Sequence, residues 1–173
     1  MTPQQVITLH SAGNHIAAHT INHYDLTTLS FNRLRLELSQ PQAYLQNLLG
    51  VAIRDFASPY GSYNSRVLSQ IKNYYRSHRT VDEGFNTKSS LDLYKLKVQN
   101  VESSTTTNEI ISWVSQAKQD HSWLILVYHE IKPNPSQWDT DPATFDSHMN
   151  AIKNSGVAVV TLDQAIGEIL PQL

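Results

Sequence analysis

Leu124-Ile-Leu-Val-Tyr-His129 is an almost uninterrupted apolar run that ends in a histidine. Six residues are far too few to cross a membrane, which takes about 20. A short apolar run bounded by polar sequence fits a central parallel strand buried on both faces. A histidine at its carboxyl end is placed to serve as a general acid or base. The other reading is a core-edge histidine satisfied by a hydrogen bond.

Five further strand-like runs lie along the chain: Ile16–His19, Val51–Ala57, Ser77–Val81, Tyr94–Val98 and Val157–Leu162. Helical patterns separate most of them. Thr2-Pro3 and Asp141-Pro142 put a capping side chain before a proline tolerated in the first helical turn. The first of these helices is expected to stop at Gly13 and the second at Gly156. Ser30 opens a longer apolar-periodic segment, Leu34, Leu38, Leu45, Leu48 and Leu49, ending at Gly50. Pro41 should kink or restart it. Further helices are expected over about 64–75, 107–120 and 163–170. Alternating strands and helices predict a parallel sheet covered by helices. With 173 residues the chain is short of the roughly 250 of a complete eightfold barrel, so an open sheet or incomplete barrel is expected. No repeat or linker divides residues 1–173, which are read as a single domain.

Composition narrows the chemistry. Thirteen basic residues against 15 acidic, with no basic cluster, argue against a nucleic-acid surface. Zero cysteines exclude disulfides, thiolate metal sites and cysteine nucleophiles. The opening Met1-Thr-Pro-Gln-Gln has no basic segment leading into an apolar stretch, so no signal peptide is expected. Chemistry then rests on His, Asp, Glu, Ser and Tyr, with or without a metal.

In parallel sheets, chemistry collects where strands end. His19-Thr-Ile-Asn-His23 puts two imidazoles four residues apart at such an end, a spacing that lets both reach one divalent ion; one packed and one solvated histidine is the alternative. Phe56-Ala-Ser-Pro-Tyr-Gly61 leaves a strand through a turn able to aim backbone N–H groups at an oxyanion, or simply to start a helix capped by Asn64 or Ser62. Asp82-Glu83 follows the third strand and reads as an orienting or substrate-touching pair, or as solvated loop acids. Trp138, in the loop Lys132-Pro-Asn-Pro-Ser-Gln-Trp138, is the best candidate for a sugar-stacking ring. Asp25 reads as a turn or capping residue ahead of a third metal ligand, and His10 and His15 read as surface or packing residues.

Taken in order, these segments resemble one family, the polysaccharide deacetylases with a NodB-type domain (carbohydrate esterase family 4). Gly13-Asn-His-Ile-Ala-Ala-His-Thr-Ile-Asn-His-Tyr-Asp-Leu-Thr27 resembles its histidine motif, Phe56–Asn64 its groove motif and Trp123–Ile131 its last motif. The stretches Thr144–Met149 and Ser155–Asp163 resemble its closing helix and strand. The resemblance implies an α/β fold, an incomplete or distorted (β/α) barrel with about six mostly parallel strands. It implies a divalent metal on His19 and His23, zinc foremost, with cobalt or nickel as alternatives. It implies an oxyanion contact from the Tyr60 backbone N–H, a catalytic acid at His129, and substrate contacts from Pro59, Tyr60, Gly61, Asp82 and Trp138. The substrate implied is an N- or O-acetylated polysaccharide of the cell envelope or extracellular space. The family's Thr-Phe-Asp-Asp-Gly strand has no counterpart, and Ala57 or Ser58 stands where the groove motif carries arginine. The chain is accordingly expected to be an amino-terminally truncated domain, with an unpaired sheet edge that favours a homodimer. A catalytically impaired carbohydrate-binding relative is the rival expectation.

Overall fold

The computed structural model describes residues 1–172. Six helices are α1 (Pro3–Ser11), α2 (Phe31–Leu49), α3 (Ser65–Ile71), α4 (Thr107–Gln119), α5 (Pro142–Asn154) and α6 (Leu162–Ile169). Four strands are β1 (Asp55–Ala57), β2 (Ser77–Glu83), β3 (Leu96–Asn100) and β4 (Leu126–Val127), in the order β1-β2-β3-β4. The pairings β1–β2 and β3–β4 are parallel, with Phe56 opposite His78 and Asn100 opposite Val127.

Helix starts follow local chemistry. Thr2, Thr106 and Thr161 each close a capping box with a Gln or Glu three residues on, at the heads of α1, α4 and α6. Ser30, Asn64 and Asp141 cap α2, α3 and α5 with one side-chain bond each. Gly50 ends α2 with φ 69°, a conformation that favours glycine. Pro41 does not restart α2: the helix runs through it, with the ring buried.

Two expected strands do not form, so the sheet has four strands among the described residues rather than six. Ile16–His19 makes a single bridge, Ala18 to Phe56, sealed by Ala18 N–H to Asp55 O (3.0 Å) and Ala57 N–H to Ala18 O (3.1 Å). Pairing ends there because Thr20 turns into the left-handed region (φ 64°). Val157–Leu162 pairs with no strand among the described residues. Val159 is 78% exposed, and the segment's last two residues cap and open α6. The run over 124–129 is also less interior than its apolarity suggests. Only Leu126 and Val127 join the ladder, and all six residues from Leu124 to His129 are half-buried or exposed.

The chain divides into two compact units. One comprises Met1–Thr80, Asp92–Leu96 and the chain from Val160 onward; the other comprises Val81–Leu91 and Lys97–Val159. The first has a core of Ala18, Leu26, Leu34, Leu38, Ile53, Phe56, Val67, Ile71 and Tyr75. Each large apolar side chain buried there stabilises the unit by about 1.5–3 kcal/mol before entropy is subtracted. The second has a smaller core of Val101, Ile110 and Val114, flanked by Trp113, Leu124, Leu126 and Tyr128.

Candidate active site

The first unit gathers the side chains of His19, His23 and Tyr60 at the carboxyl end of β1. His19 and His23 lie with ring centroids 4.9 Å apart, and His23 lies 4.8 Å from the Tyr60 ring, both edge to face. All three side chains are exposed. The His19 Nδ1–H donates to the carbonyl of Ala57, 2.8 Å away on the last residue of β1. That bond sets the tautomer and puts the lone pair on Nε2, as in a metal-ligating histidine oriented by a backbone carbonyl. The two imidazoles therefore fit a divalent cation as two of its ligands.

The backbone here is held in uncommon conformations. Thr20, His23 and Tyr60 have φ of 64°, 55° and 56°, three of the five non-glycine residues with positive φ among those described. Each such residue costs on the order of 1–3 kcal/mol, and such residues cluster at functional sites. Pro59–Gly61 form a single 3₁₀ turn with Tyr60 at its left-handed apex. Pro59 and Gly61 are buried and Tyr60 is 66% exposed, so the turn presents Tyr60 and withholds its neighbours.

Sequence reading missed what supports the loop between the histidines. Glu37, on α2, is buried among Leu34, Leu38 and Pro41. Its carboxylate accepts the backbone N–H groups of Ile21 and Asn22 (both 3.0 Å) and the Asn22 side-chain amide (2.6 Å). Arg33 pairs with it at 3.3 Å and lies over the Tyr24 ring. Burial pushes the Glu37 carboxyl up, but the Asn22 and Ile21 hydrogen bonds and Arg33 hold it below the usual range. The only sequence signal is a charge on the apolar face of α2.

Asp25 is a cap: it accepts from Thr27 N–H and Oγ1–H at 2.9 and 2.7 Å, opening the 3₁₀ turn Leu26–Thr28. Ser58, at the groove-motif position, donates its hydroxyl to His78 Nε2 (2.7 Å), while His78 Nδ1–H donates to the Tyr94 carbonyl. Both side chains are buried, so this pair braces β1 against β2.

The other candidates lie in the second unit. His129 is exposed just beyond the carboxyl end of β4, its ring 6.2 Å from that of Trp138, which is 47% exposed. Asp82 is exposed on β2, a strand position where a loop was expected. Asp139 accepts from Ser136 N–H and its hydroxyl and pairs with Lys132, a bracket that closes the Trp138 loop and holds the Asp139 carboxyl well below the usual range.

Among the described residues, no carboxylate completes a three-ligand group with His19 and His23. One such group lies at the opposite end of β1, where ligand atoms of His15, Asp55 and Asp163 fall within 4.8 Å of one another. That group is compatible with a cation, and a cation is already there. Arg76 Nη2 reaches Asp55 at 2.8 Å and Asp163 at 2.5 Å, beside a His15–Asp55 contact of 2.8 Å.

With this geometry in view, residues 1–76 match the family model described as polysaccharide deacetylase. The fold is that of the polysaccharide deacetylases. The Streptococcus pyogenes deacetylase PplD, solved with acetate, is 26% identical with TM-score 0.53; the match covers 56% of this chain and 43% of that one. The Xyl-CE4 domain of a multidomain xylanase from the hindgut metagenome of Trinervitermes trinervoides is 18% identical with TM-score 0.63, covering 96% of this chain and 70% of that one. A CE4 family pseudoenzyme from Bacillus anthracis is 13% identical with TM-score 0.60, covering 94% and 50%. This deacetylase-fold chain thus spans half or less of two of these three structures. No curated protein matches it.

Proposed function

We propose that the chain is a divalent-metal-dependent hydrolase that removes N-acetyl or O-acetyl groups from a polysaccharide of the cell envelope or extracellular space. The observation that carries this reading is the His19–His23 pair, with His19 set by the Ala57 carbonyl to present Nε2. A cation bound there, zinc foremost, would supply Lewis acidity and a water acidified toward neutral pH. The Tyr60 turn, stiffened by Pro59 and opened by Gly61, offers backbone N–H to the acetyl oxygen as charge develops on it. His129 is the proposed proton donor to the departing amine or hydroxyl, a role consistent with its exposure at a strand's carboxyl end. Trp138 and Asp82 are the proposed sugar contacts in the second unit. No helix among the described residues is long and apolar enough to cross a membrane.

A second reading is a carbohydrate-binding relative without turnover. It is favoured by the absence, among the described residues, of a carboxylate that completes a three-ligand group with the histidine pair, and by the likeness to a CE4 family pseudoenzyme. Acetate release from an N-acetylglucosamine oligomer, with zinc or cobalt present, separates the two. Release that disappears in a His19→Ala, His23→Ala variant supports the hydrolase. Oligomer binding without release supports the binding module, and neither binding nor release would sink both.

A further inference from the structure

Glu37 is 1% exposed on a helix face whose other buried members are Leu34, Leu38 and Pro41. A carboxylate in such a setting is costly unless its bonds repay the lost water. Three of its four close polar partners belong to the segment between His19 and His23, and the fourth is Arg33, one turn back on α2. Oε2 receives two consecutive backbone N–H groups, an arrangement in which the chain wraps an anion. The residues flanking that pair, Thr20 and His23, are the two left-handed residues of the loop, and His23 N–H closes back on Thr20 Oγ1 at 3.1 Å. Packing alone would be served by another leucine at this position; the anion's bonds serve the loop.

We propose that Glu37 is a positioning residue: by holding the Ile21 and Asn22 backbone it fixes the left-handed turns at Thr20 and His23, and so keeps the two imidazoles together. This rests on the reading of His19 and His23 as metal ligands. Loss of a bond one step removed from a ligand commonly lowers metal affinity roughly 10- to 100-fold.

The test is zinc titration, by competition with a chromophoric chelator, of the wild-type chain, Glu37→Gln, Asn22→Ala and the His19→Ala, His23→Ala control. Amide hydrogen exchange is measured on the metal-free proteins alongside. Glu37→Gln is expected to bind zinc about 10- to 100-fold more weakly and to speed exchange at Ile21 and Asn22 while sparing α3. Asn22→Ala, which deletes one exposed partner and leaves the buried carboxylate, is expected to show a smaller loss in the same direction, and it decides the matter if Glu37→Gln does not fold. Unchanged zinc affinity in a folded Glu37→Gln or in Asn22→Ala overturns the proposal, as does unchanged exchange at Ile21 and Asn22. Zinc binding that survives in the double-histidine control overturns the metal reading instead, and exchange alone then judges the hold of Glu37 on the loop.

Discussion

The two ends of β1 make opposite use of histidines and carboxylates. At its amino end, Asp55 is fully buried and saturated: Arg76 donates twice (3.0 and 2.8 Å), Ser77 once (2.6 Å), and His15 lies 2.8 Å away. Burial pushes the Asp55 carboxyl up, yet His15, Arg76 and Ser77 hold it far below the usual range. At its carboxyl end, His19 and His23 stand exposed on a loop with left-handed backbone at Thr20 and His23, and the buried Glu37 is bonded to that loop rather than to the rings. The amino end uses its charges on each other, which locks strand to helix. The carboxyl end keeps its two imidazoles at the surface, where a ligand can meet them.

That contrast is broken most directly by Asp55→Asn. Removing the charge leaves Arg76 only its exposed partner Asp163 and leaves His15 and Ser77 without theirs, and breaking a buried pair from one side costs up to about 3–5 kcal/mol. Denaturant unfolding should show that loss. The His19→Ala, His23→Ala variant should lie within about 0.5 kcal/mol of wild type, since both rings are exposed. Equal losses in the two variants would erase the distinction between a structural and a functional end.

Acid sharpens the same comparison. Because the folded-state value of Asp55 is depressed, its contribution is fully present above the unfolded carboxylate value of about 3.9 and is lost as pH falls toward the folded one. The stability gap between wild type and Asp55→Asn, followed by urea midpoints, should therefore close progressively below about pH 4 and stay constant from there to neutrality. A gap that stayed open well below pH 4 would mean that something other than the Asp55 charge separates the two proteins.

At the other end, Tyr60→Gly should raise the free energy of unfolding by about 1 kcal/mol, because relief of a left-handed non-glycine residue outweighs glycine's added chain entropy. Acetate release should fall at the same time if the turn binds the acyl oxygen. A loss of stability instead would mean that the exposed ring packs more than its surroundings suggest. The smallest effect belongs to Asp163→Asn. Asp163 is 57% exposed, so its pair with Arg76 should contribute no more than about 1 kcal/mol, and high salt should erase it.

What was legible in the sequence, and what was not, follows the range of the forces. The heads of α1, α2, α3 and α5 could be read because a capping residue and its partner sit within three positions, as Thr2 with Gln5; the capping boxes of Thr106 with Glu109 and Thr161 with Gln164 are equally local but went unread. The histidine spacing and the Pro-Tyr-Gly turn were legible for the same reason. Strands fared worse. Ile16–His19 and Val157–Leu162 have strand-forming residues, but pairing depends on a distant neighbour and on where the chain turns, and neither is written locally. Of the two outcomes expected at Pro41, a restart does not occur: α2 runs on through it, with the ring buried on the helix's apolar face.

The sequence by itself determined the helices, their caps, the two-residue histidine motif and the order of motifs along the chain, since all of these depend on neighbours within a few residues. Only the tertiary structure decided that His19 is oriented by Ala57 38 residues away, that Glu37 underlies the loop, and that Asp55, Arg76 and Asp163 meet across 21 and 87 residues. Those partners are chosen by where the buried faces of α2, β1 and α6 come to rest. A charge drawn into a core by its helix must find whatever donors the fold places beside it.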